Sequence, residues 1–354
     1  MRALASKTLA RTIEATKAIP EPQSDRPRAS IAIAHAEAGD FASALAEARS
    51  IKTVESRIFA LNGVGAALQR AGRTDDAASS FEQAIGDAQS LAGAKQINQL
   101  VLIARSQASV GSPNATVTYD LALKTAKAQN SILFPTVIAS LRANSGEIVE
   151  ALRDALSIEE SDKSIALAAI VNAQLKAGRI ADASELASGI DYDEERLHAL
   201  VAVAVAQART GKVKEATDSI MQAQSVAASI RPERRAVARA EIAGAQAAAG
   251  LAMDSAAGVD EAREALAKQT QPSDRDPISA AIALALARSG QIPKAIELAL
   301  TLSSEINRSS SLEDIADDEA AAKSYGDALR ALLSIPIDDR RTNSMIELAA
   351  KAPS

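Results

Sequence analysis

The sequence contains no cysteine and no tryptophan, and it has only two histidines, four phenylalanines and three tyrosines among 354 residues. Without cysteine there can be no disulfide framework, no thiolate metal site and no cysteine nucleophile. The scarcity of aromatic residues argues against β-sandwiches and β-barrels, whose strands favour aromatic and β-branched side chains. Alanine, a strong helix former, supplies 81 positions. The composition therefore favours helices.

The chain also lacks an excess of positive charge and any long apolar run. Its net charge is −6, its isoelectric point is about 5.3 and its mean hydropathy is −0.02. A protein that neutralises nucleic-acid phosphates needs a basic face, so nucleic acid is not expected as a partner. No run reaches the roughly 18 apolar residues that a membrane-spanning helix needs, so no membrane span is expected.

The compartment is open from the sequence. Residues 1–7 lack the apolar core of a signal peptide. The alanine-rich composition is typical of bacteria with GC-rich genomes. A periplasmic protein whose leader has been removed is slightly favoured over a cytoplasmic one, because the absence of cysteine fits export.

Similar segments recur along the chain about every 35 residues. In the clearest units a basic residue is followed 15 positions later by glycine: Arg57 and Gly72, Lys163 and Gly178, Arg196 and Gly211, Arg235 and Gly250, Arg275 and Gly290. Units that open at Arg308 and Arg341 lack the glycine, and weaker units begin near positions 24, 96 and 131. Such regular spacing predicts a tandem-repeat array.

Each unit is predicted to form two helices. Small or apolar residues at i, i+3 and i+4, such as Leu61, Val64 and Gly65, mark the buried face of the first helix. The glycine ends that helix, and a polar turn leads into the second. An alanine five residues after the glycine would let two helix backbones approach closely: Ala44, Ala77, Ala151, Ala183, Ala216 and Ala295. Segment 199–206 alternates with period two, as a strand does, but its alternating residue is alanine, so a helix is favoured.

These units resemble tetratricopeptide repeats, which are helix–turn–helix units of 34 residues. The resemblance is best in the unit that contains Leu61, Val64, Gly65, Leu68, Gly72, Ala77, Phe81 and Ala84. It implies an all-α fold, an α-solenoid of antiparallel helix pairs in a right-handed superhelix. The helix-opening tryptophan of the family is absent, most aromatic positions carry alanine or aliphatic residues, and some units are longer. A HEAT-like helical array therefore stays open as an alternative.

The repeat pattern also predicts the domain organisation. Residues 1–23 are expected to form a lone N-terminal helix, or half repeat, and residues 24–340 about nine tandem helix–turn–helix repeats. Residues 341–354 are expected to form a C-terminal capping helix, with Met345, Ile346 and Leu348 facing the preceding unit. A terminal helix with a polar outer side keeps such an array soluble.

Catalytic motifs are nearly absent. The sequence has no phosphate-binding loop, no G-x-S-x-G elbow, no His-Glu-x-x-His and no dinucleotide fingerprint. Two acidic segments, 191–195 and 313–319, lack the pattern of a calcium-binding loop and are interpreted as solvated surface. We therefore expect no enzyme activity, no cofactor and no metal site.

The family resemblance implies that the first helices line a concave groove that holds a peptide or a partner helix. Carried onto this sequence, the binding candidates are Asn62, Arg70, Asn98, Arg105, Asn172, Lys176, His198 and Arg209. Arg26, Glu37, Phe59, Gln69, Asn144 and Arg288 also fall at lining positions. The groove is expected to be locally basic, and therefore to bind an extended or acidic segment of a protein partner. Alternatively, the cations at helix ends could act only on the helix dipole.

The repeat pattern leads to two further hypotheses. The basic residue that opens each unit is predicted to bridge to the carbonyl end of the preceding second helix, which is a packing role. For the whole chain, the leading hypothesis is a non-enzymatic protein-interaction scaffold. The alternative is a structural protein that self-associates by stacking through its terminal units.

Overall fold

The computed structural model describes residues 24–336 and 339–351, so the predicted N-terminal half repeat, 1–23, lies outside the described residues. The chain forms two compact units, Met1–Ala166 and Leu167–Ser354, here called unit 1 and unit 2. The described residues of both units contain helices, turns and no strand. The prediction of an all-α fold is confirmed.

In chain order the helices of unit 1 are α1 (Asp25–Glu37), α2 (Phe41–Ser50), α3 (Val54–Arg70), α4 (Thr74–Gln89), α5 (Gly93–Ser109), α6 (Ala115–Ala128), α7 (Leu133–Asn144) and α8 (Ile148–Ala155). Helix α9 (Glu160–Lys176) contains the boundary between the units.

The helices of unit 2 continue the numbering: α10 (Ile180–Ser188), α11 (Asp193–Arg209), α12 (Val213–Ser229), α13 (Arg235–Ala248), α14 (Ala252–Ala267), α15 (Pro272–Arg288), α16 (Ile292–Leu300), α17 (Glu305–Ala321), α18 (Tyr325–Leu333) and α19 (Asp339–Lys351). A short 3₁₀ turn, Pro232–Arg234, precedes α13.

Within each unit the helices pack as the repeat predicts. In unit 1 the first helices α1, α3 and α5 each contact the second helix that follows and the next first helix, and α7 contacts the second helix α8. In unit 2 the same arrangement runs through α11, α13, α15 and α17. The protein is an α-solenoid built from helix pairs.

The glycine turn has the geometry that ends a helix and reverses the chain. Gly72 has φ +75, the Gly72 N–H donates to Gln69 O at 3.0 Å, and the Arg73 N–H donates to Leu68 O at 3.0 Å. These are the two bonds of a Schellman motif. Lys323 replaces the glycine in the unit that opens at Arg308, and it adopts the same left-handed backbone with φ +64. The turn therefore persists where the glycine is missing.

The alanine seams are confirmed. All six alanines predicted to lie at close helix contacts are fully buried. In the same seam, the ring of Phe81 lies so close to α3 that a Cβ added to Gly65 would stand 3.1 Å from the ring. A larger residue at either kind of position would overpack the contact.

The predicted role of the unit-opening basic residue is confirmed for six arginines. Arg57 Nη1 donates to Ile51 O at 2.9 Å, and Arg308 Nη1 donates to Leu302 O at 2.8 Å. Equivalent bonds are made by Arg196, Arg235, Arg275 and Arg341. Each bond satisfies a loop carbonyl just after a second helix. The helix has ended there, so no later N–H group of that helix can donate to this carbonyl.

The C-terminal helix packs mainly as predicted, with one correction. In α19, Leu348 is buried and Met345 packs against the core of unit 2, but Ile346 is 63% exposed. Met345 and Leu348 are three residues apart and share one helix face, whereas Ile346 is rotated by about 100° from Met345. The prediction that Ile346 faces the preceding unit was wrong.

Unit 1 contains a buried arginine that the repeat pattern does not predict. The side chain of Arg142, on α7, has no exposed surface. Its guanidinium contacts Asp154 at 2.5 Å, Asp120 at 2.9 Å and Glu147 at 3.2 Å, and it donates to Thr116 O at 2.9 Å. This cluster joins α6, α7 and α8 through charge, in addition to the buried alanine contact at Ala151.

Candidate functional site: the inner face of the first helices

The eight binding candidates from the sequence divide equally between the two units. Asn62 and Arg70 on α3 and Asn98 and Arg105 on α5 belong to unit 1, and the others belong to unit 2: Asn172, Lys176, His198 and Arg209. We use the term inner face for the solvent-facing positions of the first helices within one unit. The inner faces of unit 1 and unit 2 are described separately.

On the inner face of unit 1, Arg70, Asn98 and Arg105 are exposed and Asn62 is half-buried. Asn62 Oδ1 is buried, and no donor among the described residues reaches it. A buried carbonyl oxygen without a hydrogen bond is costly, so this amide favours a ligand that brings an N–H group.

An aromatic residue adds an apolar element to the same face. Phe59, on α3, is 36% exposed, and the guanidinium carbon of Arg26 lies 4.0 Å from the centre of its ring. This cation–π contact holds Arg26 flat against the first helices. Leu102, on α5, is also partly exposed.

The charges of the unit 1 inner face are mostly positive. Lys95 Nζ lies 3.0 Å from Glu55 Oε1, so these two charges offset each other. Arg70 and Arg105 have no carboxylate within ion-pair distance among residues 24–336 and 339–351. Two exposed cations therefore have no carboxylate partner in the part of the chain that the structure describes.

The inner face of unit 2 encloses a groove with a volume of about 720 Å³. Leu197, Val201, Val237 and Leu284, from α11, α13 and α15, supply an apolar lining. Asn172 and His198 also line this groove. A groove of this size with a few polar groups is typical of a ligand-binding surface.

His198 has a carboxylate partner inside the groove. Its Nδ1 lies 2.8 Å from Glu241 Oε2, on the neighbouring first helix α13. The bond to Glu241 raises the pKa of His198 above its ordinary value, although partial burial acts in the opposite direction. The imidazole is therefore engaged with Glu241 when it is charged.

Arg209 is also engaged. Its Nη2 lies 2.6 Å from Asp318 Oδ2 and donates to the main-chain oxygen of Asp318 at 2.9 Å. Arg288, which occupies the equivalent last position of α15, donates to Asp318 Oδ1 through Nε at 3.0 Å and Nη2 at 2.8 Å. One buried carboxylate therefore binds both arginines.

A third carboxylate of the groove is paired as well. Glu194 Oε1 lies 2.7 Å from Arg231 Nη2, and Glu194 Oε2 lies 3.4 Å from Arg234 Nε. Burial acts to raise the pKa of Glu194, but the hydrogen bond and charge of Arg231 together with Arg234 hold it below its ordinary value.

These contacts correct the expected charge of the groove. In unit 2 the inner face is not simply basic, because Glu194, Glu241 and Asp318 neutralise cations there. Lys176 is the exception among the three unit 2 candidates with a basic side chain: it is exposed and has no carboxylate partner in the described part of the chain. These carboxylates could not be predicted from the lining positions because they stand at other repeat positions or in distant repeats.

The described residues contain neither a candidate metal site nor a helix that could cross a membrane. Among the described residues, no group of three or more histidine, aspartate or glutamate side chains is arranged to hold a metal ion. No helix in residues 24–336 and 339–351 is both long and apolar enough to cross a membrane.

No family model and no curated protein matches this sequence. Among solved structures, the chain is similar to Ton1535 from Thermococcus onnurineus NA1, with 17% identity over 98% of this chain and 96% of that chain and a TM-score of 0.37. It is also similar to the TPR domain of P58(IPK), with 13% identity over 98% of this chain and 93% of that chain and a TM-score of 0.22. Both scores are too low to support the fold assignment, which depends on the helix pairs, glycine turns and alanine seams described above.

Proposed function

We propose that this helical-repeat protein is a non-enzymatic interaction scaffold, and that the inner face of unit 1 binds an extended acidic segment of a partner protein. The observation that carries the proposal is the state of Arg70 and Arg105, two exposed cations without a carboxylate among the described residues. Arginine binds carboxylates with charge-assisted hydrogen bonds. In unit 2, by contrast, Arg209 and Arg288 already have that kind of partner.

The neutral polar residues of the same face suit an extended main chain. The orphaned Oδ1 of Asn62 can accept a hydrogen bond from a main-chain N–H, and the amide of Asn98 can both donate and accept. Phe59 and Leu102 offer apolar contact beside them. The proposed ligand therefore combines acidic side chains with a main chain that is free to form hydrogen bonds.

In unit 2 the proposed contacts are fewer. Asn172 and Lys176 have no hydrogen-bond or ion-pair partner among the described residues, so they remain candidates for binding a partner. His198 and Arg209 can bind a ligand only by giving up Glu241 and Asp318. We therefore assign the first recognition of an acidic segment to unit 1.

The test uses a fluorescein-labelled ten-residue peptide composed of glutamate, aspartate and serine, with affinity measured by fluorescence anisotropy. Combining Arg70→Glu with Arg105→Glu should weaken binding at least about tenfold, which corresponds to about 1.4 kcal/mol. The expected loss arises because two attractive charges become repulsive. The affinity for the peptide should also fall as salt is added.

The matched control is Lys124→Glu, an exposed charge reversal on the second helix α6 of the same unit. It should leave the affinity unchanged. Replacement of the peptide carboxylates by amides should abolish binding to the unmodified protein. Circular dichroism should show equal helicity for all variants. If the acidic peptide binds the Arg70→Glu, Arg105→Glu variant as tightly as the unmodified protein, the proposal is wrong.

A further inference from the structure

The contact between Arg209 and Asp318 joins repeats that do not follow one another. Helix α11, which ends at Arg209, packs on α13, α13 packs on α15, and α15 packs on α17, which carries Asp318. The two residues are 109 positions apart in the sequence. Arg288, at the end of α15, binds the same carboxylate from the intermediate helix.

The cluster is shielded from solvent. The side chain of Asp318 is 8% exposed, that of Arg288 is 12% exposed and that of Arg209 is 27% exposed. Water and salt screen buried charges less than exposed ones, so this cluster can hold helices in place more effectively than a surface ion pair.

The helix between α11 and α15 provides room for the cluster. Gly244 lies on α13, and a Cβ at this position would stand 3.1 Å from Arg288 Nη1 and 3.5 Å from Arg288 Cδ. Gly244 and Arg288 also line the 720 Å³ groove, so the cluster borders one part of it. Movement of α17 away from α11 would therefore change the groove.

We propose that Asp318 holds the ends of α11, α15 and α17 together through Arg209 and Arg288, a contact that we call the latch. The carboxylates of an acidic partner segment compete with Asp318 for these two arginines, and this competition opens the groove of unit 2. The latch itself does not depend on the binding proposed for unit 1. The competition with a partner rests on the proposed function, because it assumes that the protein meets an acidic segment.

The latch is tested by a distance measurement. Because the chain has no cysteine, Lys212→Cys and Ala322→Cys allow spin labels to be attached only at exposed positions just beyond α11 and α17. Double electron–electron resonance should give a narrow distance distribution for the otherwise unmodified protein. Asp318→Asn and, separately, Arg209→Gln should shift it to longer and broader distances.

The control for this measurement is Asp260→Asn, which removes an exposed ion pair with Arg263 on α14 of the same unit. It should leave the distribution unchanged. Thermal melts of all variants show whether each remains folded at the temperature of labelling. Distributions for Asp318→Asn and Arg209→Gln that coincide with that of the parent protein would overturn the latch.

The competition is tested with the same acidic peptide in the Arg70→Glu, Arg105→Glu background, where the proposed unit 1 contacts are removed. A latch that is closed nine-tenths of the time lowers the apparent affinity about tenfold. Asp318→Asn should therefore raise peptide affinity by about that factor, and adding Arg209→Gln should cancel the gain. Equal affinity with and without Asp318→Asn would overturn the competition and leave the unit 1 proposal to its own test.

Discussion

Replacing Arg142 with alanine should be among the most destabilising single changes in unit 1. The side chain is fully buried, and Asp154, its partner at 2.5 Å, is 3% exposed. Without the guanidinium, the carboxylate of Asp154 keeps its burial but loses its counter-charge. Breaking a buried pair in this way costs about 3–5 kcal/mol. Asp120, which is 51% exposed, can recover solvation from water and adds little.

The appropriate assay is amide hydrogen exchange of α7 and α8, because a repeat array can open locally without unfolding as a whole. A loss of about 3–5 kcal/mol corresponds to a fall in protection of roughly 150-fold or more, since each 1.4 kcal/mol is a factor of ten. Amides of α1 and α2, which do not contact the cluster, should keep their protection.

Arg153 offers a control that touches the same carboxylates. Its Nη2 lies 3.2 Å from Asp120 and 3.4 Å from Asp154, but its side chain is 61% exposed. Exposed pairs contribute about 0.2–1 kcal/mol, so Arg153→Ala should change protection less than about fivefold. If Arg142→Ala and Arg153→Ala have equal effects, burial does not determine the strength of this cluster and the reasoning is refuted.

Two further changes test the turn geometry and the groove histidine. Lys323→Gly should stabilise the protein by about 0.5–1 kcal/mol, measured by urea unfolding, because glycine adopts the φ of +64 without a Cβ penalty, whereas Lys323→Ala should not stabilise it. For His198 the pKa is raised in the folded state, so its bond to Glu241 should stabilise the protein fully below about pH 6.5 and lose this effect as the pH rises through the raised pKa. NMR titration of His198 should show a pKa above the ordinary value for histidine, and Glu241→Gln should lower it; an unchanged pKa in Glu241→Gln would contradict the assignment.

The repeat architecture could be predicted from sequence because its determinants are local. The turn at Gly72, the close contact at Ala77 and the bond from Arg57 to a carbonyl six residues earlier each depend on spacing within one unit. Helix periodicity and turn chemistry fix such relations without knowledge of distant residues. The exposure of Ile346 shows the limit of this reasoning, because three nearby apolar residues cannot all occupy one helix face.

The buried position of Arg142 could be recognised in the sequence only after the structure had shown which repeat positions are buried. The position four residues before the turn residue is buried in unit after unit, and its occupants are Leu68, Gln107, Arg142, Gln174, Gln207, Gln246, Leu286 and Glu319. Aligned in this column, a charged residue stands out as one that needs a buried partner. Its partners, Asp120 and Asp154, lie on neighbouring helices at no fixed spacing, so the alignment indicates the need for a counter-charge but not its source.

The charge of the inner face could not be obtained by counting lining positions. Arg70 and Arg209 occupy the same place before the turn glycine, yet Arg70 is exposed without a carboxylate among the described residues and Arg209 binds Asp318. The difference arises in unit 2 from the contact between Arg209 on α11 and Asp318 on α17, two first helices that are three repeats apart. An alignment of single repeats does not contain such a contact. A cation in a helical-repeat groove is therefore available to a ligand only where the packing of its own unit leaves it without a carboxylate, and this condition separates the two inner faces of the protein.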